Sequence, residues 1–340
     1  MVIKKSLTNI AKKLGNLIHY QKLTYADKKA GRQLKLVQNK LGAMQPRDII
    51  LFCCLRNEQF RMPFFARYYR DIGVKHFIVV DNGSTDSFPE WAAKQPDFSV
   101  WRTTASYRDS HFGMLWLNDL LRRYGTGHWC VVVDPDEFLV YPYMETRSLK
   151  ALAGYLEEEK RHCLHVVLLD AYSDKDIEET ILKEGADPFT VCPFFDSDGY
   201  IQVPGWGEGI WIRGGPRLRV HNSQKPDWAP ALNKIPFIKW RAHFHYRLST
   251  HDAWPFYLNK AHSPGEVSPT GALFHFKFIG SLIGKAEEEM KRSEHYADSR
   301  EYKRYLEKKK ACFYEPTLSV CYENPQQLND LGLMSAGRWF

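Results

Sequence analysis

No run of this 340-residue chain approaches the roughly 18–20 consecutive apolar residues needed to span a bilayer. Lys4 and Lys5 stand near the N-terminus, but no long apolar core and no small-residue cleavage site follow, so a secretory leader is not expected. The seven cysteines form no CxxC or CxxxC pair. Cys53, Cys54 and Cys130 lie in apolar, strand-like runs and read as reduced, buried thiols, which implies a reducing compartment. No GxxxxGK[ST] phosphate loop occurs either. Acids are almost missing from residues 1–47: nine Lys and two Arg face Asp27 alone, a balance of +10, which leaves −3 of the total +7 for the remaining 293 residues.

What is present is a globular composition, 44% hydrophobic and 26% charged, which excludes a disordered chain. Aromatic residues reach 14%, enough for an aromatic-rich core and also suited to stacking on sugar faces or bases. In the basic segment Ile3, Leu7, Ile10, Leu14, Leu17 and Ile18 recur at three- and four-residue steps. Lys5, Asn9, Lys12, Asn16 and His19 fall opposite. The pattern predicts an amphipathic helix that either docks on an anionic membrane surface through residues 1–40 or packs on protein. It contains no recognised nucleic-acid module, so no nucleic-acid partner is expected. Gly42 to Pro46 reads as a hinge, dividing an arm, 1–47, from a main domain, 48–283, and a tail, 284–340.

From Asp48 the pattern becomes α/β. DIILFCCLRNE predicts a buried strand, 59–72 a helix stopped at Gly73, VKHFIVVDNGSTD a second strand, and DFSVWRTT a third. A helix over 110–124 and a strong strand, HWCVVVDPDEFLV, follow. Strands separated by helices imply parallel pairing with right-handed crossovers, with ligands bound beyond the strands' carboxyl ends. Arg56–Glu58, Asp81–Asp86 and Asp134–Glu137 all fall at that rim. Asp134, Asp136 and Glu137 crowd three negative charges into four positions, and their repulsion needs an opposing charge. Asp134 and Asp136, flanking a stiff Pro135, can face one hard cation, Mn²⁺ or Mg²⁺, which also stabilises a leaving diphosphate.

The combination of CLRNE, HFIVVDNGSTD, HFGMLW and WCVVVDPDEFLV, with GALFHFKF at 271–278 and KAEEEMKRSEHY at 285–296, resembles the family-2-like nucleotide-sugar glycosyltransferases. That resemblance implies a GT-A-like (Rossmann-like), mostly parallel sheet flanked by helices, with the basic arm before it and a helical tail behind. It covers roughly 48–145 and 271–335. It further implies that Arg56, Asn57 and Glu58 lie beside the base and ribose of a UDP-sugar donor. Asp81, Asn82 and Ser84 would belong to the same pocket. Asp134 would face ribose or metal, Asp136 would be the main metal ligand, and His275 would complete the metal shell with Lys277 near the diphosphate. His251 is a further candidate for donor phosphate or acceptor.

An inverting transfer needs a carboxylate to take the acceptor's proton, and the chain lacks the family's usual Glu-Asp pair. Glu208, between Trp206 and Trp211, is preferred, with Asp170 next and Asp252 third. Arg217 and Arg219 in GGPRLRVHN read either as phosphate contacts or as solvated arginines. His243 and His245 share a strand face without a third ligand that would make a zinc site. The expected acceptor is a glycan or lipid-linked glycan of a bacterial surface polysaccharide, with the protein cytoplasmic and peripheral on the inner face of the membrane. A metal-dependent nucleotidyl or phosphoryl transferase is the enzymatic alternative. A degenerate glycosyltransferase serving as a glycan-binding scaffold is the non-enzymatic one.

Overall fold

The computed structural model describes residues 2–205, 209–262, 268–282, 284 and 312–339. Glu208, Trp206 and the charged stretch 285–296 therefore lie outside the described residues.

Nine strands form one sheet: β1 (Lys35–Gln38), β2 (Ile49–Leu55), β3 (Val74–Asp81), β4 (Phe98–Arg102), β5 (Trp129–Val132), β6 (Glu137–Val140), β7 (Cys163–Asp170), β8 (Asn233–Lys239) and β9 (Gly271–His275). Their spatial order is β1-β4-β3-β2-β5-β8-β7-β9-β6. β2, β3, β4, β5, β7 and β9 run in one direction, while β1, β6 and β8 run against them. The architecture is thus α/β with a mixed, mostly parallel sheet.

The inner strands are continuous apolar runs because both faces of the sheet are covered. Leu51, Cys53, Val79 and Val131 turn to one face, where α2 (Met62–Asp71), α3 (Phe88–Ala93) and α5 (Leu149–Glu158) bring Phe65, Phe88 and Leu152. Ile50, Phe52, Cys54 and Ile78 turn to the other, against Trp116 and Leu120 of α4 (Met114–Leu120) and Ala30 of α1 (Val2–Gly31).

Several local expectations shift for identifiable reasons. The helix expected over 59–72 starts only at Met62, with Pro63 in its first turn, where a missing N–H costs nothing. The backbone N–H of Gln59, just before it, is instead bound by Asp86 at 2.8 Å. The helix expected over 110–124 starts at Met114, because His111, Phe112 and Gly113 take left-handed backbone angles. It then widens into a π turn, Leu121–Gly125.

The largest correction concerns HWCVVVDPDEFLV, which is not one strand. Residues 133–136 carry the chain from β5, in the middle of the sheet, to β6 at its edge. β6 pairs with β9, and the fit is close: a Cβ on Gly271 would lie 2.7 Å from the Val140 carbonyl oxygen.

The basic segment is likewise less detached than a hinge at 42–46 implies. α1 runs 30 residues to Gly31, and β1 then pairs antiparallel with β4 as an edge strand of the main sheet. Asp27 of α1 is buried against His245, 2.7 Å away, and His19 packs edge-on to Trp254 at 4.8 Å. Of the C-terminal tail, the described part holds a strand, Ser319–Cys321, and a short helix, Pro325–Asp330. Trp339 is buried beside Tyr141. No helix among the described residues is long and apolar enough to cross a membrane.

Candidate active site

The ends of β2, β3, β5, β7 and β9 and the starts of β6 and β8 meet along one rim, so residues remote in sequence converge there. At the β2–β3 part of it the polar residues mainly hold one another. Asp81 Oδ1 accepts the Ser84 N–H at 2.7 Å, and Arg102 Nε lies 3.6 Å from Oδ2. Asn82 Nδ2 donates to the carbonyls of Thr103 and Ala105. Ser84 Oγ accepts the N–H of Asn57, which has a φ of 54°, and Asn57 Oδ1 accepts the Thr85 N–H at 2.8 Å. Glu58 pairs with Arg61 at 3.0 Å, and Arg56 Nη1 donates to the Asn82 carbonyl at 3.0 Å. Asp81, Asn82 and Ser84 are buried and shape the loop, and of their side-chain atoms Asn82 Oδ1 is left buried without a hydrogen-bond partner.

The acids after β5 have a partner that the sequence did not disclose. Lys234, second residue of β8, is buried with its side chain only 4% exposed; its Nζ bonds Glu137 and lies 3.6 Å from Asp134 Oδ2. Glu137 also accepts the Asp134 N–H at 3.1 Å. Burial alone would lower the Lys234 pKa, but Glu137 and Asp134 raise it, so the ammonium stays charged. The Asp134 side chain remains 47% exposed at the rim. Partial burial and the neighbouring Glu137 raise its carboxyl above the usual value, against the pull of Lys234, with solvent at the exposed half limiting the rise. A Lys within NKIPFIK resembles any surface residue of a half-exposed strand. The only local hint was its setting among Leu232, Ile235 and Phe237.

His275, 139 positions after Asp136, ends β9 with Nε2 3.5 Å from Asp136 Oδ2 and Nδ1 2.7 Å from Asp170 Oδ1. The Phe276 N–H donates to the Asp136 carbonyl at 2.8 Å, tying β9 to the crossing segment. Phe274 and Phe276 both pack on Phe189, in the apolar layer away from the rim. Lys277 lies beyond the end of the strand, half-buried, so the alternation that would place it beside His275 stops short of it.

Asp170 differs from what a general base requires. Its side chain is fully buried, with Oδ2 bound by Arg217 Nε at 2.7 Å and Oδ1 by His275. Burial acts to raise its pKa, but Arg217 and His275 hold it below the usual carboxylate value. It is an ionised positioning group for His275, poorly placed to take an acceptor's proton. Arg219 is occupied by Asp196 at 2.8 Å, so neither arginine of GGPRLRVHN is simply solvated or open to phosphate. Those residues form a π turn, not a strand, and the double glycine lets the chain pass close to Gly199 and Tyr200 rather than to an open ligand groove. His245 is taken up by Asp27, which removes it from any pairing with His243 on a metal. Asp252, bound by Asn259 at 2.8 Å with Arg247 3.5 Å away, is buried as well.

His251 Nδ1 lies 2.7 Å from the Asn233 carbonyl, which fixes the proton on Nδ1. Burial and then Lys234 lower its pKa to about 3, so the ring is neutral across the physiological range. Four acids, Asp134, Asp136, Glu137 and Asp170, are therefore met by Lys234, Arg217 and His275. Protein charges answer most of the repulsion in DPDE.

The residues also fit a divalent cation. Asp136 and Asp134 offer hard oxygen donors, and Asp170 on Nδ1 orients His275 so that Nε2 faces Asp136. Among the described residues no three such side chains are already gathered at ligand distances.

The His275 environment sets a pH dependence for the metal-free protein. Burial works to lower the imidazole pKa, but Asp136 and Asp170 raise it to about 9, from 6.5. A raised folded-state pKa contributes stability that is full below pH 6.5 and disappears as pH rises through 9, about 3 kcal/mol in all. Urea unfolding in EDTA between pH 6 and 10 is expected to show this loss. His275→Gln should flatten the curve, whereas an unchanged slope would mean that His275 is not protonated there.

A scan of protein-family models finds no match to this chain, and a comparison with curated proteins finds none either.

Proposed function

We propose that this chain transfers a glycosyl group from a nucleoside-diphosphate sugar to a hydroxyl of a glycan acceptor, on a GT-A-like domain. One observation carries the reading: His275 Nε2 and Asp136 Oδ2, from the two ends of the resemblance, stand 3.5 Å apart beside Asp134 at the rim. A Mn²⁺ or Mg²⁺ ion held by Asp136, Asp134 and His275 would supply Lewis-acid stabilisation of the leaving diphosphate. Asp170 would orient His275, and Glu137 with Lys234 would fix the crossing segment beneath the acids. UDP is the donor nucleotide proposed, met by the loop of Arg56, Asn57 and Glu58. With Asp170 spent on Arg217 and His275, Glu208 stands as the carboxylate proposed for the acceptor's proton.

Calorimetry with UDP, with and without Mn²⁺, tests the reading. Metal-dependent UDP binding supports it, and no UDP binding under either condition overturns it. Lys234 favours a second reading of the charge, in which the buried ammonium takes the cation's place and UDP binds equally well in EDTA.

Membrane attachment is proposed for the basic start of α1; His19, Tyr20 and Asp27 farther along the helix contact the body of the protein. Lys4, Lys5, Lys12 and Lys13 would each contribute about 1 kcal/mol on an anionic surface. Replacing all four by Gln is expected to weaken binding to phosphatidylserine vesicles about a thousandfold in cosedimentation. UDP binding should be unaltered. Equal vesicle binding by the two proteins would remove the arm from membrane contact, leaving a role in packing.

A further inference from the structure

α1 carries its amphipathic pattern the opposite way round from a helix packed on its own domain. At about 100° per residue, Asn9, Asn16, His19, Tyr20 and Asp27 fall on one side of it. From residue 19 onward that side is turned to the body. His19 meets Trp254, Tyr20 meets His245 at 5.6 Å, and Asp27 is buried against His245. The positions of Ile3, Leu7, Ile10, Leu14, Leu17 and Ile18 centre about 130° round the axis from Asp27, in a sector that Tyr25 shares. Ile18 is 50% and Tyr25 70% exposed. A helix at rest on its own domain buries the apolar stripe and gives the polar side to water. Here the polar side holds the protein and the apolar sector faces outward at Ile18 and Tyr25.

We propose that α1 lies in the plane of an anionic lipid bilayer on this outer face, embedding Ile18 and Tyr25 besides the apolar stripe before them. The inference rests on the membrane attachment proposed above and extends it from the basic start of the helix as far as Tyr25.

Charge selects the occupant. Asp27, the one acid of residues 1–47, stands on the inner side and is buried, so the outer face carries no negative charge. Lys4, Lys22 and Lys29 fall along one margin of the apolar sector and Lys13 along the other. Ammonium groups at the margins of an embedded stripe reach lipid headgroups while their methylene stems lie along the acyl boundary. A second copy of this face would set the same cations against one another, which disfavours self-pairing. A nucleic acid would leave the apolar stripe in water.

Cosedimentation of the full chain with phosphatidylserine vesicles tests the proposal. Ile18→Ser/Tyr25→Ser leaves the charge unchanged and alters only exposed positions. It is expected to bind about tenfold more weakly than the parent, from the loss of two partly embedded apolar side chains. The deficit should persist at high salt, which screens lysines but not apolar burial. In Tyr25→Trp, lipids brominated on their acyl chains should quench the added indole emission. UDP binding should be unchanged in both variants.

Equal vesicle binding by parent and serine variant, or no added quenching in Tyr25→Trp, overturns the proposal. If the variant with Lys4, Lys5, Lys12 and Lys13 replaced still loses binding, the contact is confined to the basic start, and the attachment reading stands without this extension. No vesicle binding by the parent removes both, while UDP calorimetry judges the transferase reading separately. A lipid-free dimer in sedimentation velocity that the serine variant abolishes would give the face to a second copy and overturn the bilayer as its occupant.

Discussion

Lys234→Met is expected to destabilise the protein by about 3–5 kcal/mol, the range for breaking a buried ion pair from one side. Methionine fills much of the lysine volume, so the loss is chiefly electrostatic. Glu137 is left buried without its cation, and Asp134 loses the larger of the two charges, Lys234 and His275, that lower its carboxyl beside a second acid. The sign of the pH dependence follows. In the variant the Asp134 carboxyl, already raised, loses the pull of Lys234 and rises further, so the folded state binds more protons than the unfolded one near neutrality, and stability recovers as pH falls. Urea unfolding at pH 5 and pH 8 reads this directly. The double variant Lys234→Met/Glu137→Leu should be less damaged than the single one, because the stranded charge is gone. If the single variant is as stable as the parent at pH 8, the lysine is not the counter-charge of the crossing segment.

Asp136→Asn should act on function more than on folding. The substitution keeps the shape but removes the charge that a cation would meet, and a loss of about 10²–10³ in transfer is expected for losing one such electrostatic contact. Metal stimulation of UDP binding should vanish, even where weak binding persists. His275 supplies an independent readout, since Asp136 is the leading influence that raises its pKa. Its imidazole should titrate lower in the variant, observable by NMR. Undiminished Mn²⁺-dependent UDP binding by the variant would place the cation elsewhere.

Much of the central sheet was legible because it is written in short range. β2, β3, β4 and β5 are runs of Val, Ile, Phe and Cys between turns, and their rim residues follow directly from strand direction. The site was legible where the sequence stacks unusual residues together, as in DPDE and FHF. What was hidden is non-local. Nothing within residues 128–140 tells that the chain leaves the middle of the sheet for its edge, since apolar residues flank the acids on both sides. Lys234 lies 97 residues from Glu137, and Arg217 lies 47 from Asp170. A lysine or arginine acquires its meaning from a partner that only the fold supplies. The short start of α4 was missed for a different reason: His111 and Phe112 adopt left-handed backbone angles that their side chains do not advertise.

β6 has a single strand neighbour, β9, and β9 is the last strand of the sheet to be made. During synthesis the DPDE segment therefore emerges more than 130 residues before the strand that seats it. A nascent chain can assemble β2, β3, β4 and β5 early, yet it must carry an unseated, acid-bearing ribbon until His275 leaves the ribosome. Assembly of the acidic rim is on this account a late event in the chain's biogenesis. Products cut short before Gly271 would hold a formed half-sheet with a sticky free edge, which suits them to chaperone capture or clumping.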